Sequence, residues 1–319
     1  MPDNKIKAFQ VKANGKLLDY RLGQKLDLDD VRAFFSKKYK IKKLWSGGRH
    51  LLGIISKNNQ ELFLKLSTSE GISFVTRIEY QWNKCFNKLV PRKKSVFWVP
   101  QNYSQGLYKN LFYLITDKFD GQMFTRKPEK TKTSKMFLDN VPTIIEFANF
   151  IQELNINNLQ EQTKGNYQEW FLKKTHSWYQ SIPGKVTAKH KLNGLLNIVN
   201  DNYLSLEKRP RHGDFVPWHL LKLKNGGIGL IDGEHATGKG VEYYDIGYFI
   251  QRVFCVLENP SLAKKILSLL TDKKYDLDKL RVILAARAIG GFLDESLKKI
   301  PNYDLHNYFK KLVVNLRKV

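Results

Sequence analysis

The hydrophobic pattern changes its period near Asp117, and this change restricts the fold more than any other feature of the chain. Between Ile41 and Thr116 the apolar residues come in short runs bounded by turn residues. Ile41 to Trp45 reads as a strand ending at Ser46-Gly47-Gly48. His50 to Ser56 is a second strand, Lys57-Asn58-Asn59-Gln60 supplies polar turn chemistry, and Glu61 to Leu66 is a third. Gly71 to Phe86 has apolar residues at helical spacing (Ile72, Val75, Ile78, Trp82 and Phe86), and Val96 to Val99 and Leu111 to Thr116 are further strands. From Asp139 onward helical spacing dominates. Asp139-Asn140-Val141-Pro142 predicts a helix start, followed by a stripe of Ile144, Ala148, Ile151 and Leu154. Tyr167 to Ile182, Lys189 to Leu206, Ser261 to Leu270, Leu277 to Leu293 and Tyr303 to Arg317 also read as helices, whereas Phe124 to Lys135 and Arg211 to Asp232 read as loops, the latter with short strands. The expected class is α+β, with a small strand-rich N-terminal lobe and a larger, mainly helical C-terminal lobe. Residues 1–40 stand apart as an extension. They hold a hairpin from Lys5 to Tyr20 turning at Asn14-Gly15, and a short helix capped near Asp29 and Asp30.

Several broad classes are excluded. No uninterrupted apolar run reaches the roughly 18 residues a membrane span needs. The most apolar stretches, Gly247 to Leu257 and Val282 to Leu293, are broken by Gln251 and Arg252 and by Arg287. Met1 to Lys12 lacks the apolar core of a signal peptide. Cys85 and Cys255 stand alone, which argues against a disulfide scaffold or a cysteine zinc site and fits the cytoplasm. The formal net charge of +24 invites a polyanion partner, but 42 of the 54 cations are Lys and 12 are Arg. A reader of nucleic acid favours Arg for bidentate and stacking contacts, so attraction of an anionic small ligand is the better reading.

The chemistry concentrates in one segment. His212-Gly213-Asp214-Phe215-Val216-Pro217-Trp218-His219 is followed by Ile228-Gly229-Leu230-Ile231-Asp232-Gly233-Glu234, and then by Tyr244-Asp245-Ile246. A short loop presents one carboxylate, and an apolar strand ends in another. Phosphoryl transfer uses such a pair, one accepting the proton of the attacking hydroxyl and one holding the metal that bridges nucleotide phosphates. Gly233 to Lys239 nearly spells a phosphate-binding P-loop. Gly240 stands where the motif needs Ser or Thr, and the following residues make a poor first helical turn.

His-x-Asp, then Ile-Asp-x-Glu, then a late Asp-Ile resembles the catalytic region of the aminoglycoside phosphotransferase and choline kinase family. The His-Gly-Asp-Phe-x-Pro-Trp wording is close to uncharacterised bacterial members of that group. The resemblance runs from about Ile41 to Val256. It implies a two-lobed protein-kinase-like fold, with a nucleotide-binding antiparallel-sheet lobe over 41–117 and a helical lobe over 118–319 carrying the catalytic loop and acceptor pocket. It also implies transfer of the γ-phosphoryl of ATP, with Mg²⁺ or Mn²⁺, to a hydroxyl of a small molecule such as a sugar or alcohol. Asp214 would be the catalytic base. Lys65 and Glu79 would position the phosphates, Gly47 and Gly48 would form the covering loop, and Asp117 and Phe119 would lie in the hinge that meets the nucleotide. Asp232, with Glu234 and His219, would hold the metal, and His212 and Asp245 would brace the catalytic loop. Trp170, Trp178 and Tyr179 are candidates for a pocket wall, which ordinary core packing explains equally well. One departure bears on activity. The family carries Asn five residues after the catalytic Asp, where this chain has His219, a nitrogen ligand in place of a hard oxygen. A nucleotide-binding pseudokinase with little transfer therefore stays open as an alternative, and a basic nucleic-acid-associated protein as a second.

Overall fold

The computed structural model describes residues 7–13, 15–156, 159, 165–273 and 275–316. They form two compact units, the first within Met1–Gln122, Ile156–Gln162 and Lys222–Thr237, the second within Met123–Asn155, Thr163–Leu221 and Gly238–Val319. The first unit therefore takes in the N-terminal hairpin and helix that the sequence sets apart, together with residues 222–237.

Strands β1 (Gln10–Ala13) and β2 (Lys16–Asp19) pair as an antiparallel hairpin with Val11 opposite Leu18. Lys5, Ile6 and Asn14 of the expected hairpin lie outside the described residues. Helix α1 (Leu28–Ser36) starts at Asp27, whose carboxylate accepts from the N–H groups of Asp29 and Asp30. Then come β3 (Lys40–Gly47), β4 (His50–Lys57), β5 (Gln60–Ser67), α2 (Glu70–Leu89), β6 (Phe97–Trp98), β7 (Asn102–Tyr108) and β8 (Leu111–Asp117). The order β3-β4-β5-β8-β7 is an antiparallel sheet. Period-two alternation sends Leu62, Leu64 and Leu66 of β5 into a core with Val31 and Phe35 of α1 and with Leu51, Ile55 and Ile115. Ser69 caps α2 by accepting from the Ile72 N–H, and the predicted stripe Ile72, Val75, Ile78, Trp82 and Phe86 is buried. Each such large side chain contributes about 1.5–3 kcal/mol through removal from water.

The chain leaves the first unit within β9 (Gly121–Met123). Helix α3 (Lys135–Glu153) begins ahead of the Asp139–Pro142 start that the sequence suggests, because Ser134 caps it by accepting from the Phe137 N–H. Pro142 consequently lies inside the helix. The stretch expected as one helix over 189–206 is split. Helices α4 (Tyr167–Ser181), α5 (Gly184–Lys189) and α6 (Asn193–Asn202) follow in order. Lys191 ends α5 in the left-handed region (φ 48°), with Leu192 N–H donating to Thr187 C=O and Lys191 N–H to Ala188 C=O. This is a Schellman closure made without the usual glycine.

Strand β10 (Lys208–Arg211) leads to the loop of interest. Strand β11 (Leu220–Leu223) returns the chain to the first unit, where β12 (Ile228–Leu230) pairs in parallel with β6. Strand β13 (Thr237–Val241) pairs with β10, and a helical series closes the second unit: α7 (Tyr244–Cys255), α8 (Pro260–Asp272), α9 (Leu277–Ser296) and α10 (Asp304–Asn315). Helix α9 is buried almost continuously from Leu280 to Leu293, so it is the central helix of its unit. Among the described residues no helix is long and apolar enough to cross a membrane.

Candidate active site

The candidate residues gather into two constellations, one in each unit. In the first unit, Lys65 on β5 is held opposite Leu52 of β4 and Leu114 of β8. Its ammonium is 2.6 Å from Glu79 Oε2 and 2.7 Å from Glu234 Oε1, and it also donates to Asp232 Oδ1. Glu234, almost fully buried, also faces the Arg49 guanidinium, Nη2 at 2.9 Å, and the His50 imidazole, Nε2 at 3.0 Å. His50 Nε2 also lies 2.9 Å from the Thr76 hydroxyl. The expected Lys65–Glu79 pair is present, and Glu234 stands at the hub of an ion-pair network.

The electrostatics follow from burial and neighbours. Burial alone would lower the Lys65 pKa, but attraction by Asp232, Glu234 and Glu79 overrides it and holds the ammonium well above its ordinary value. Burial pushes Glu79 up to about 7. The pull of Lys65 opposes that rise, and repulsion from Asp232 and Glu234 adds to it. Burial acts to raise Glu234 too, yet Lys65, His50 and Arg49 hold it well below the usual carboxylate range. Burial is the leading cause of the lowered His50 pKa.

Local structure explains the placement. Asp232 follows β12 in the left-handed region (φ 69°), which a short polar side chain tolerates better than most. Gly233 lies against the Trp82 ring, and a Cβ there would sit 2.4 Å from Trp82 Cδ1. Glu79 and Trp82 are three residues apart on α2 and share a face. One helix face thus packs under Gly233 and presents a carboxylate to Lys65. Asp117 takes the Arg92 guanidinium and the Gln101 N–H, both at 2.5 Å, and Phe119 packs on Gly229, whose Cβ would be 2.7 Å from the ring. Phe119 therefore braces the strand that leads to Asp232, and Asp117 holds the Arg92 guanidinium that lies 5.6 Å from the Phe119 ring. Gly47 pairs with His50 across a tight turn in which Gly48 has φ 76°. The residues after Gly233 form a turn and then β13, with no helix start, which removes the P-loop reading.

Carboxylate oxygens of Glu79, Asp232 and Glu234 lie within 4.8 Å of one another. Hard oxygen donors suit Mg²⁺ or Mn²⁺, and the Lys65 ammonium lies against all three of these carboxylates. The Asp232 side chain is 22% exposed against 1% for Glu234, so Asp232 is the more reachable ligand.

In the second unit the loop after β10 carries Asp214. Asp245, in the first turn of α7 and 2% exposed, accepts the His212 N–H at 2.7 Å and the Gly213 N–H at 2.8 Å. Gly213 adopts φ 83°, a conformation that lets both amides converge on one carboxylate. Burial raises Asp245 to about 6, against the lowering effect of those two hydrogen bonds. Phe215 is fully buried between Phe147 and Phe249, which anchors the loop on its far side. Asp214 itself keeps a 20% exposed side chain, and His219 Nδ1 lies 3.1 Å from the Asp214 carbonyl oxygen and 3.5 Å from its carboxylate. Trp170 and Trp178 on α4 carry guanidinium groups over their rings, Arg211 at 4.9 Å and Arg287 at 4.8 Å, while the Tyr179 hydroxyl donates to Asn193. Sequence reasoning missed Arg49, His50, Arg211 and Arg287. Arg287 registers there only as the charge that breaks an apolar run.

No family model matches the sequence, and no curated protein matches it. Solved structures do match in fold. Aminoglycoside phosphotransferase APH(4)-Ia aligns over 91% of this chain and 99% of its own, with TM-score 0.67 and 11% identity. Choline kinase LicA from Streptococcus pneumoniae aligns over 91% and 99%, with TM-score 0.54 and 13% identity. Spectinomycin phosphotransferase APH(9)-Ia, solved with ADP and spectinomycin, aligns over 93% and 99%, with TM-score 0.54 and 13% identity. The chain has the α+β, protein-kinase-like fold shared by aminoglycoside phosphotransferases and choline kinase, with an antiparallel sheet in its N-terminal part and a helical C-terminal portion.

Proposed function

We propose that the protein is an ATP-dependent phosphotransferase that moves the γ-phosphoryl group to a hydroxyl of a small molecule. The observation that carries this reading is the buried Lys65 ammonium bound at once to Glu79 of α2 and to Asp232 at the end of β12. A strand lysine fixed by a helix carboxylate is the device that clamps nucleotide phosphates in kinase-like enzymes. The fold of the matching solved structures, three of them phosphotransferases solved with ADP, supports it.

In this reading Lys65, steadied by Glu79, holds the phosphates, and Gly47 and Gly48 form the turn above them. Asp232 would hold the divalent ion, with Glu234 beside it, while Glu79 stays on Lys65. When bound, that ion supplies charge neutralisation for the phosphates. Asp214 accepts the hydroxyl proton as the acceptor oxygen bonds to the γ-phosphorus, and the bond from that phosphorus to the β–γ bridging oxygen breaks to release ADP. Asp245 and Gly213 keep Asp214 in place, and His219 orients it through the backbone carbonyl. Phe119 supports the nucleotide side through the strand it braces, and Asp117 supports Phe119 through Arg92. Asp214→Asn should lower transfer by about 10²- to 10⁴-fold while ADP binding persists. Unchanged transfer by that variant would remove Asp214 from the role of base.

A second reading, a nucleotide-binding module without transfer, is favoured by His219 at the position where the family has Asn. His219→Asn distinguishes the two: a rise in metal-dependent turnover supports decay of the site, and a fall supports a site adapted to histidine.

A further inference from the structure

Helix α4 presents Trp170, Lys174 and Trp178 at four-residue spacing, which puts them on one stripe. Two arginines from elsewhere in the second unit meet that stripe. Arg211, the last residue of β10, stacks 4.9 Å from the Trp170 ring centre and 3.8 Å from that of Tyr244. Arg287 of α9 lies 4.8 Å from Trp178 and 3.7 Å from Tyr248, and its Nη1 donates to the Tyr244 hydroxyl at 3.1 Å. Arg211 is 5% exposed and Arg287 is 4% exposed. Among the described residues neither has a carboxylate oxygen within 4.0 Å, and Nε and Nη1 of Arg211 and Nε of Arg287 have no hydrogen-bond partner.

The contrast with other cations of this unit is informative. Arg252 has Asp294 at 2.6 Å, and Lys279 has Glu242 at 2.9 Å. Asp245, the carboxylate that attracts Arg211, spends both oxygens on the His212 and Gly213 amides. Buried cations without a counter-ion destabilise a fold, so their retention calls for a compensating ligand. The rings occupy the guanidinium faces, and the in-plane N–H edges are what bind an oxyanion in bidentate fashion. Lys174 is the member of the cluster that is partly exposed. Burial, with repulsion from Arg211 and Arg287, lowers its pKa to about 8, which puts all three cations within electrostatic reach of one another.

We propose that Arg211, Arg287 and Lys174 form an oxyanion subsite that takes a phosphate or carboxylate group of the acceptor, so that the natural acceptor is an anionic hydroxyl compound. This rests on the phosphotransferase reading of Asp214. Arg211 precedes Asp214 by three residues, and three residues of extended chain span at most about 10 Å. The anchor and the base thus belong to one short stretch of chain, so a small acceptor bound at the first is close to the second. A cationic acceptor such as an aminoglycoside meets repulsion at the same place.

Two measurements test this. The first is thermal unfolding in inorganic phosphate against sodium chloride at equal ionic strength, for the wild type, Lys174→Gln and Arg287→Lys. The second is ADP release from ATP and Mg²⁺ with glycerol 3-phosphate, glycerate, glycerol and choline as acceptors. Phosphate should raise the wild-type melting temperature more than chloride does, with a smaller rise in both variants. The anionic acceptors should have a KM at least about tenfold below that of glycerol, and Lys174→Gln should raise it by about 10- to 100-fold with a smaller change in kcat. Preference between glycerol 3-phosphate and glycerate identifies the anion. Equal or better use of glycerol or choline, with no effect of Lys174→Gln, overturns the subsite and leaves phosphotransfer standing. A phosphate-dependent melting shift that needs Arg287, with no ADP release from any acceptor, upholds the subsite and overturns the phosphotransferase reading.

Discussion

Replacing Asp245 by Asn should separate the rigidity of the Asp214 loop from the stability of the whole chain. The Asp245 carboxylate accepts two backbone N–H groups at 2.7 and 2.8 Å. Asn offers one acceptor oxygen, so one buried N–H loses its partner, at a cost of about 1–3 kcal/mol. Against this stands relief of a buried charge. The folded pKa of about 6 lies above the ordinary 3.8, chiefly because of burial. The associated stability is therefore fully present below pH 3.8 and is lost as pH rises through about 6. That window of about two pH units corresponds to about 3 kcal/mol. Asn mimics the protonated form at every pH, so at pH 7 the two effects nearly cancel and the melting temperature should move little. The loop should not be spared. Amide exchange at His212 and Gly213 should quicken, and transfer should fall about 10²-fold, the penalty for a misplacement of about 1 Å. Melting curves from pH 4 to 7, amide exchange and ADP release together decide the matter. Wild-type exchange rates at both amides, or a wild type that gains stability relative to Asp245→Asn as pH rises from 4 to 6, would rule out this role for Asp245.

Three further outcomes are expected. Lys65→Met removes the common partner of three carboxylates and should destabilise the chain by about 3–5 kcal/mol at pH 7, with part recovered by adding Glu79→Gln; a loss the same in both backgrounds would break the proposed coupling. Saturating Mg²⁺ should raise the melting temperature of the wild type more than that of Asp232→Asn, by about 2.7 kcal/mol of added stability at one hundred times Kd. The folded pKa of Lys174, about 8, lies below the ordinary 10.5 because of burial and of Arg211 and Arg287. Its contribution is thus present above pH 10.5 and lost as pH falls through 8, so the wild type should gain on Lys174→Met between those values in pH-resolved denaturant melts.

The strand-to-helix change was legible because it depends on short-range spacing. The Lys65–Glu79 pair and the roles of the carboxylate loop were legible only through the resemblance, since spacing alone put Lys65 on a strand and Glu79 on the following helix without joining them. The start of α3 was less legible, because Pro142 and Ser134 are both local start signals and their competition is settled by packing. The break at Lys191 left no trace, since the residue in the left-handed position is not glycine. Arg49, His50, Arg211 and Arg287 escaped notice for a different reason. Their significance lies in partners from distant parts of the chain, and a lone cation in a loop or apolar run carries no mark of what will face it.

The path of the chain through the first unit also has a consequence in time. An emerging ribosomal product through Gln122 contains Lys65 and Glu79 but neither Asp232 nor Glu234, and β6 still lacks β12. At about 5–20 residues per second, residues 222–237 arrive on the order of 10 s later. Until then the nascent sheet must keep Lys65 hydrated and leave β6 unzipped. Helices α3 to α6 are made during that wait, so a stop codon anywhere among them deprives the earlier-born unit as well as the later one.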